Sequence, residues 1–115
     1  MTMTDITIRK ADGIWSVRAG GAVLAESREA LELSERGQPD IIYFPRADIA
    51  MAFLDRSDHA SHVPNKGDAV YFSIVTKSQT LENAAWSFEA PVEDAQRIAG
   101  HIAFFATDFV TVEQI

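Results

Sequence analysis

Short runs in which apolar and polar residues alternate, each stopped by glycine or proline, recur along almost the whole of this chain. No other feature constrains the fold as much. A period of two puts one face of an extended strand on a core and the other in water, whereas a helix needs a period near 3.6. Ile6 and Ile8 alternate with threonines, and Ala11-Asp12-Gly13 supplies turn chemistry. In residues 14–18, Trp15 and Val17 fall on one face and Ile14, Ser16 and Arg18 on the other. Gly20-Gly21 then makes a two-residue turn into residues 22–26, the usual signal for a hairpin. Leu31 and Leu33 repeat the pattern before Gly37-Gln38-Pro39 closes the section. The first third therefore reads as a β-meander.

Ile41-Ile42-Tyr43-Phe44 is a continuous apolar strand stopped by Pro45. Residues 46–54 are ambiguous, because Ile49, Met51 and Phe53 suit a strand while Ile49 and Phe53 also stand four apart. A helical turn after Pro45 leading into a short strand is expected there. Residues 57–65 are polar, carry two histidines and read as a loop. Pro64-Asn65-Lys66-Gly67-Asp68 suits a tight turn, followed by strands over 69–75 and 84–88. Pro91 opens the one convincing helix, with Glu93 and Asp94 at its N-terminal end and Gly100 as its C-terminal cap. Residues 102–105 and 109–112 finish as strands. The expectation is a single domain over residues 1–115, mainly β, with one short C-terminal helix.

Composition narrows the function classes. With 115 residues and 47% hydrophobic content, one core can be buried. A formal net charge of -7 repels phosphates, so no nucleic acid and no anionic membrane surface is expected as a partner. The chain has no cysteine, which removes disulfides, thiol catalysis and cysteine-held metals. Met1-Thr2-Met3-Thr4-Asp5 shows no leader pattern, and no apolar run approaches the ~20 residues of a membrane span. A cytoplasmic location is expected.

Motifs for chemistry are few. Asp55, Asp58, His59 and His62 lie close in sequence, and histidines three apart converge on one ion if the backbone turns. His101, however, stands far along the chain, and polar residues in a loop are more often Asx-turns; no metal or cofactor is expected. His59 or His62 would serve as a general acid–base near neutral pH. The available nucleophiles, Ser57, Ser61 and Ser73, sit in no strand–turn–helix elbow. Lys66-Gly67 is not the end of a phosphate loop, which needs the lysine after the glycine and a hydroxyl residue next. That lysine is free to reach a carboxylate or a ligand anion. The aromatics Tyr43, Phe44, Tyr71, Phe72, Trp86 and Phe88 belong mostly to the core, although the polar tips of Tyr43, Tyr71 and Trp86 also suit a concave ligand surface.

Four blocks carry a resemblance to a family. Tyr43-Phe44-Pro45-Arg46 is followed by Asp48. Asp58-His59 precedes Pro64-Asn65-Lys66-Gly67-Asp68-Ala69 and Tyr71-Phe72-Ser73. Glu82-Asn83-Ala84-Ala85-Trp86-Ser87-Phe88 leads to Pro91, and Ile98-Ala99-Gly100-His101-Ile102-Ala103-Phe104-Phe105 closes the set. In order and spacing they resemble the bacterial family known as domain of unknown function 427 (DUF427). The resemblance implies a β-tent of the Mss4-like group, two antiparallel sheets meeting at an angle. Relatives often carry cysteine where this chain has Val63, so no thiol or metal role transfers to that position. The family is sometimes labelled nucleotidyltransferase-like; no Gly-Ser followed by paired aspartates supports that label here.

Together these readings point to a small-molecule or peptide binding module with a pocket of Tyr43, Arg46, His59, Lys66, Asn83 and Trp86. Arg46 and Lys66 would give it positive charge and make a local anion site, Asn83 a paired donor and acceptor, and Trp86 a stacking face. A small enzyme using His59 or His62, or a homodimer that hides strand edges, are the alternatives.

Overall fold

The alternating runs form ten strands in a computed structural model that describes residues 6–115. Residues 1–5, read above for the absence of a leader and as the start of the domain, lie outside the described residues. In chain order the strands are β1 (Ile6–Lys10), β2 (Trp15–Ala19), β3 (Ala22–Ser27), β4 (Leu31–Glu35) and β5 (Ile41–Tyr43). They continue as β6 (Leu54–Val63), β7 (Gly67–Val75), β8 (Thr80–Phe88), β9 (Ile102–Phe104) and β10 (Val110–Gln114). Among the described residues they pair into three antiparallel sheets: β1-β4-β5, β10-β2-β3 and β6-β7-β8-β9.

Three sheets replace the expected two, and β1 to β5 are not a plain meander. The Gly20-Gly21 turn does make the β2–β3 hairpin, but that hairpin leaves to pair with β10, while β1 pairs with β4. The strands sort by the core each can fill. Ile6 and Ile8 lie opposite Glu35 and Leu33 and join a cluster with Leu31, Tyr43, Ala69, Phe88 and Ile98. Val17, Leu24 and Ala25 of the other sheet join a second cluster with Phe44, Phe72, Ile74 and Ile102. Alternation reveals which residues face a core but not which distant strand shares it. One antiparallel bridge joins the first and third sheets, with Phe44 N–H donating to Ile102 O at 2.8 Å and Ile102 N–H to Phe44 O at 2.9 Å.

Two segments depart from expectation. Residues 57–65, read as a loop, lie largely inside β6, the first strand of its sheet, which pairs only with β7 among the described residues. An edge strand keeps most of its side chains in water, so polar residues suit it and charges there deter pairing with other chains. The C-terminal helix is replaced by a 3-10 segment, Glu93–Ile98, kinked at Ala95 with φ -113°. Six residues are too few to offset the cost of nucleating an α-helix, and the buried pair Ala95 and Ile98 recurs at the 3-10 period of three. After Pro45 the expected helical turn is present as Arg46–Asp48, and Ser27 Oγ–H donates to Asp48 Oδ2 at 2.6 Å, tying it to β3. Among the described residues no helix is long and apolar enough to cross a membrane.

Candidate functional site

Side chains alternate across β7 and β8, and cross-strand pairing sets Ala69 beside Phe88 and Tyr71 beside Trp86. These residues face the cluster that contains Tyr43, whereas Phe72 and Ala85 face the other core. The first face is incompletely covered. Between it, the connection from β4 to β5, and the chain after β9 opens a cleft of about 810 Å³. That volume lies in the ~300–1,000 Å³ range of small-molecule sites.

The cleft is lined largely by rings. Trp86 Nε1–H donates to the Tyr43 hydroxyl at 3.3 Å, and the two rings meet edge to face with centroids 6.2 Å apart. Burial pushes the Tyr43 hydroxyl up to about 12, with the Glu35 charge adding to the rise and the Trp86 bond opposing it. Tyr43 therefore remains a neutral phenol at physiological pH. Phe105 lies 4.4 Å from Trp86 by ring centroid and is 44% exposed. Tyr71 carries the row to β6, where its hydroxyl meets Ser61 Oγ at 2.9 Å and its ring meets that of His59 at 4.5 Å.

One wall is polar. Lys66 is buried and its Nζ–H donates to Glu35 Oε1 at 2.6 Å, while Asn65 Nδ2–H donates to Glu35 Oε2 at 2.7 Å. The Lys66 bond, then the Asn65 bond, hold the Glu35 carboxyl below its ordinary value against the effect of burial. The backbone fixes Lys66 from both sides. Its N–H donates to Val63 O at 2.9 Å, and its carbonyl accepts from Val92 N–H at 2.8 Å. Gly67 follows at φ +121°, and a Cβ there would stand 3.2 Å from Pro91 Cα. Gly67→Ala is therefore expected to lower stability by about 1–3 kcal/mol, measured by urea unfolding; an unchanged midpoint would contradict this role.

Of the six residues chosen from the sequence, the cleft brings together Tyr43, Lys66 and Trp86. His59 meets Tyr71 edge to face at the far end of the ring row without lining the cleft. Arg46 lies on the opposite face of the sheet. Its Nε–H donates to Gly100 O at 2.7 Å, Nη2 pairs with Glu89 at 2.8 Å, and the guanidinium sits 5.4 Å from the Phe72 ring centre. Asn83 takes φ +52°, accepts from Ser57 Oγ–H at 2.5 Å and donates its N–H to Ser73 Oγ at 3.2 Å. It borders a second groove, of about 570 Å³, beside Phe105 and Phe109. Arg46 and Asn83 thus have structural partners of their own.

The histidines do not converge. His59 shares a side with Ser61 and Tyr71, whereas His62 Nδ1 meets Asp68 Oδ1 at 2.6 Å across the β6–β7 pair on the other side. His101 Nδ1 lies 3.3 Å from Ala99 O. Among the described residues no group of three or more histidine, aspartate or glutamate side chains could hold a metal ion. Val63 contributes apolar surface to the lining of the cleft.

Glu35 is one member of the site, with Asn65 and Phe105, that the sequence reading passed over as a candidate. Its signal was present, since it continues the step of two from Leu31 and Leu33 and so belongs to the core-facing set of β4. A carboxylate at such a position requires a partner.

The fold and site define a small, mainly β domain in which an aromatic cleft closes on a buried lysine–carboxylate pair. The chain belongs to the family described as domain of unknown function DUF427, whose profile matches residues 7–114. A comparison with curated proteins finds no match.

Proposed function

We propose that the chain is a small-molecule or peptide binding module and that the cleft beside Trp86 is its site. The observation that carries this reading is the incompletely covered row of rings. A soluble domain gains stability by burying such surface, at about 25 cal/mol per Å² of apolar area, so leaving Trp86 and the exposed Phe105 accessible suits a ligand that completes the packing. Tyr43 fixes the Trp86 indole from below, and the Lys66–Glu35–Asn65 cluster gives the same cleft a polar end that orients what enters.

A thermal-shift screen of the untagged protein against sugars, nucleobases, amines, small acids and short peptides tests the reading. A compound at ~100 times its dissociation constant stabilises the fold by about 2.7 kcal/mol. For any hit, Phe105→Ala and Trp86→Phe are each expected to weaken binding by about tenfold or more, as central aromatic contacts do. Both variants keep the fold, because Phe105 is exposed and phenylalanine retains a ring beneath it. Undiminished affinity in both would remove the cleft as the site.

We also read the architecture as the β-tent that the family resemblance implies. The Phe44–Ile102 bridge supports this reading by joining β1-β4-β5 to β9-β8-β7-β6 as one long bent sheet, with β10-β2-β3 packed against it through the Val17, Leu24 and Phe72 core.

A further inference from the structure

Charge decides which class of ligand the cleft suits. Lys66 is the one cation among its described lining residues, and it is committed, being buried with its ammonium held on Glu35 at 2.6 Å. An anion would have to compete with a carboxylate already in place. The lining also includes the carboxylates of Glu32 and Asp40, so three acids share it with one base. Arg9, outside the lining, stands 3.1 Å from Glu32 and 3.9 Å from Asp40 and offsets one of the two. A surplus of negative charge is left near the mouth, where the Asp40 side chain is 49% exposed. The whole chain, at net -7, adds an attractive field for cations. The Tyr43 phenol, kept protonated by burial, contributes no charge of its own.

The rings favour the same sign. The π face of an indole or phenyl ring is electron-rich and attracts ammonium and guanidinium groups. Trp86 and Phe105 form a tilted pair at 4.4 Å, and Trp15 and Tyr71 add further rings to the lining. Aromatic faces beside surplus carboxylates match a body that is apolar and a head that is positive.

We infer that the cleft takes a small organic cation, an aromatic or alkyl amine, with its apolar body against Trp86 and Phe105 and its ammonium toward Glu32 and Asp40. This rests on the binding reading above and adds to it the ligand's charge.

Three indoles of nearly equal shape separate the two claims: tryptamine, tryptophol and indole-3-acetate, carrying positive, zero and negative charge at pH 7. By isothermal calorimetry on the full chain at low salt, tryptamine is expected to bind about tenfold more tightly than tryptophol, a difference of about 1.4 kcal/mol. Indole-3-acetate is expected to bind weakest. Added salt narrows the gap by screening the rim charges. Asp40→Asn is expected to reduce the tryptamine-to-tryptophol ratio severalfold. Equal affinity for all three, or preference for the acid, overturns the charge assignment; if that binding is lost in Phe105→Ala, the cleft remains the site. No binding by any of them up to about 10 mM, weaker than ~-3 kcal/mol, overturns the organic-cation assignment, and the binding reading is then decided by the wider screen above.

Discussion

Phe44→Ala is expected to cost about 3–5 kcal/mol of folding stability, the range for truncating a fully buried phenylalanine. Phe44 has no exposed surface and meets Phe104 edge to face at 5.9 Å. Its backbone, through the paired bonds to Ile102, is the joint between two sheets. Alanine keeps those bonds but leaves a void among Val17, Leu24, Phe72 and Ile74, side chains contributed by two different sheets. Small domains hold only ~5–15 kcal/mol in total, so the variant should lose a large share of its stability. Urea titration should show a much lower midpoint with an unchanged slope. Phe44→Leu, which keeps most of the volume, should lose less than about 1.5 kcal/mol. A loss of under ~1 kcal/mol for alanine would mean that the sheets close over the gap and that the joint is not rigid.

How far the sequence could be read follows from which interactions were local. The β2–β3 hairpin was legible because Gly20-Gly21 and the alternation on either side specify it without help from distant residues. The β7 strand was legible for the same reason, since Phe72 and Ile74 face one core while Ala69 faces the other. Pairing of β1 with β4 was not, because a two-strand excursion separates them and only the shared cluster of Ile6, Leu31 and Leu33 selects that partner. β6 was hidden by its composition, as a strand that buries little has no apolar stripe to show. Pro91, the acidic pair and Gly100 gave a complete set of helix signals, yet they bracket a segment too short for an α-helix and anchored at Val92 to the Lys66 carbonyl.

The site divides on the same line. Tyr43 and Trp86 were visible as aromatics with polar tips, and Lys66 as a cation next to a turn glycine. Arg46 and Asn83 looked equally suitable as residue types. What distinguishes them is that each lies outside the cleft with partners already beside it, Glu89 and Gly100 for one and Ser57 and Ser73 for the other. The Glu35 carboxylate was a single step further along a pattern already read for Leu31 and Leu33. Local pattern reports what a residue can do; the fold decides which of those capacities is already in use.

Lys66→Met is expected to cost about 2–3 kcal/mol at pH 7, below the ~3–5 kcal/mol for breaking a fully buried pair, because Glu35 keeps 21% of its side-chain surface in water. Methionine retains the length of the lysine stem, so the loss reports the ammonium and not the packing. Glu35 would then be held by Asn65 alone, a charged acceptor in a mostly apolar wall. The pH dependence identifies the cause. Lys66 and Asn65 lower the folded-state carboxyl of Glu35 from its ordinary 4.5, so this contribution is present above that value and is lost as pH falls through the lowered one. Wild type and variant should therefore differ most near neutral pH and converge in acid, as pH falls through that lowered value. Adding Glu35→Gln to Lys66→Met should recover part of the loss, since the double variant leaves no charge unmatched. A loss that is equal at both pH values would instead mean that Lys66 acts through details of its stem packing.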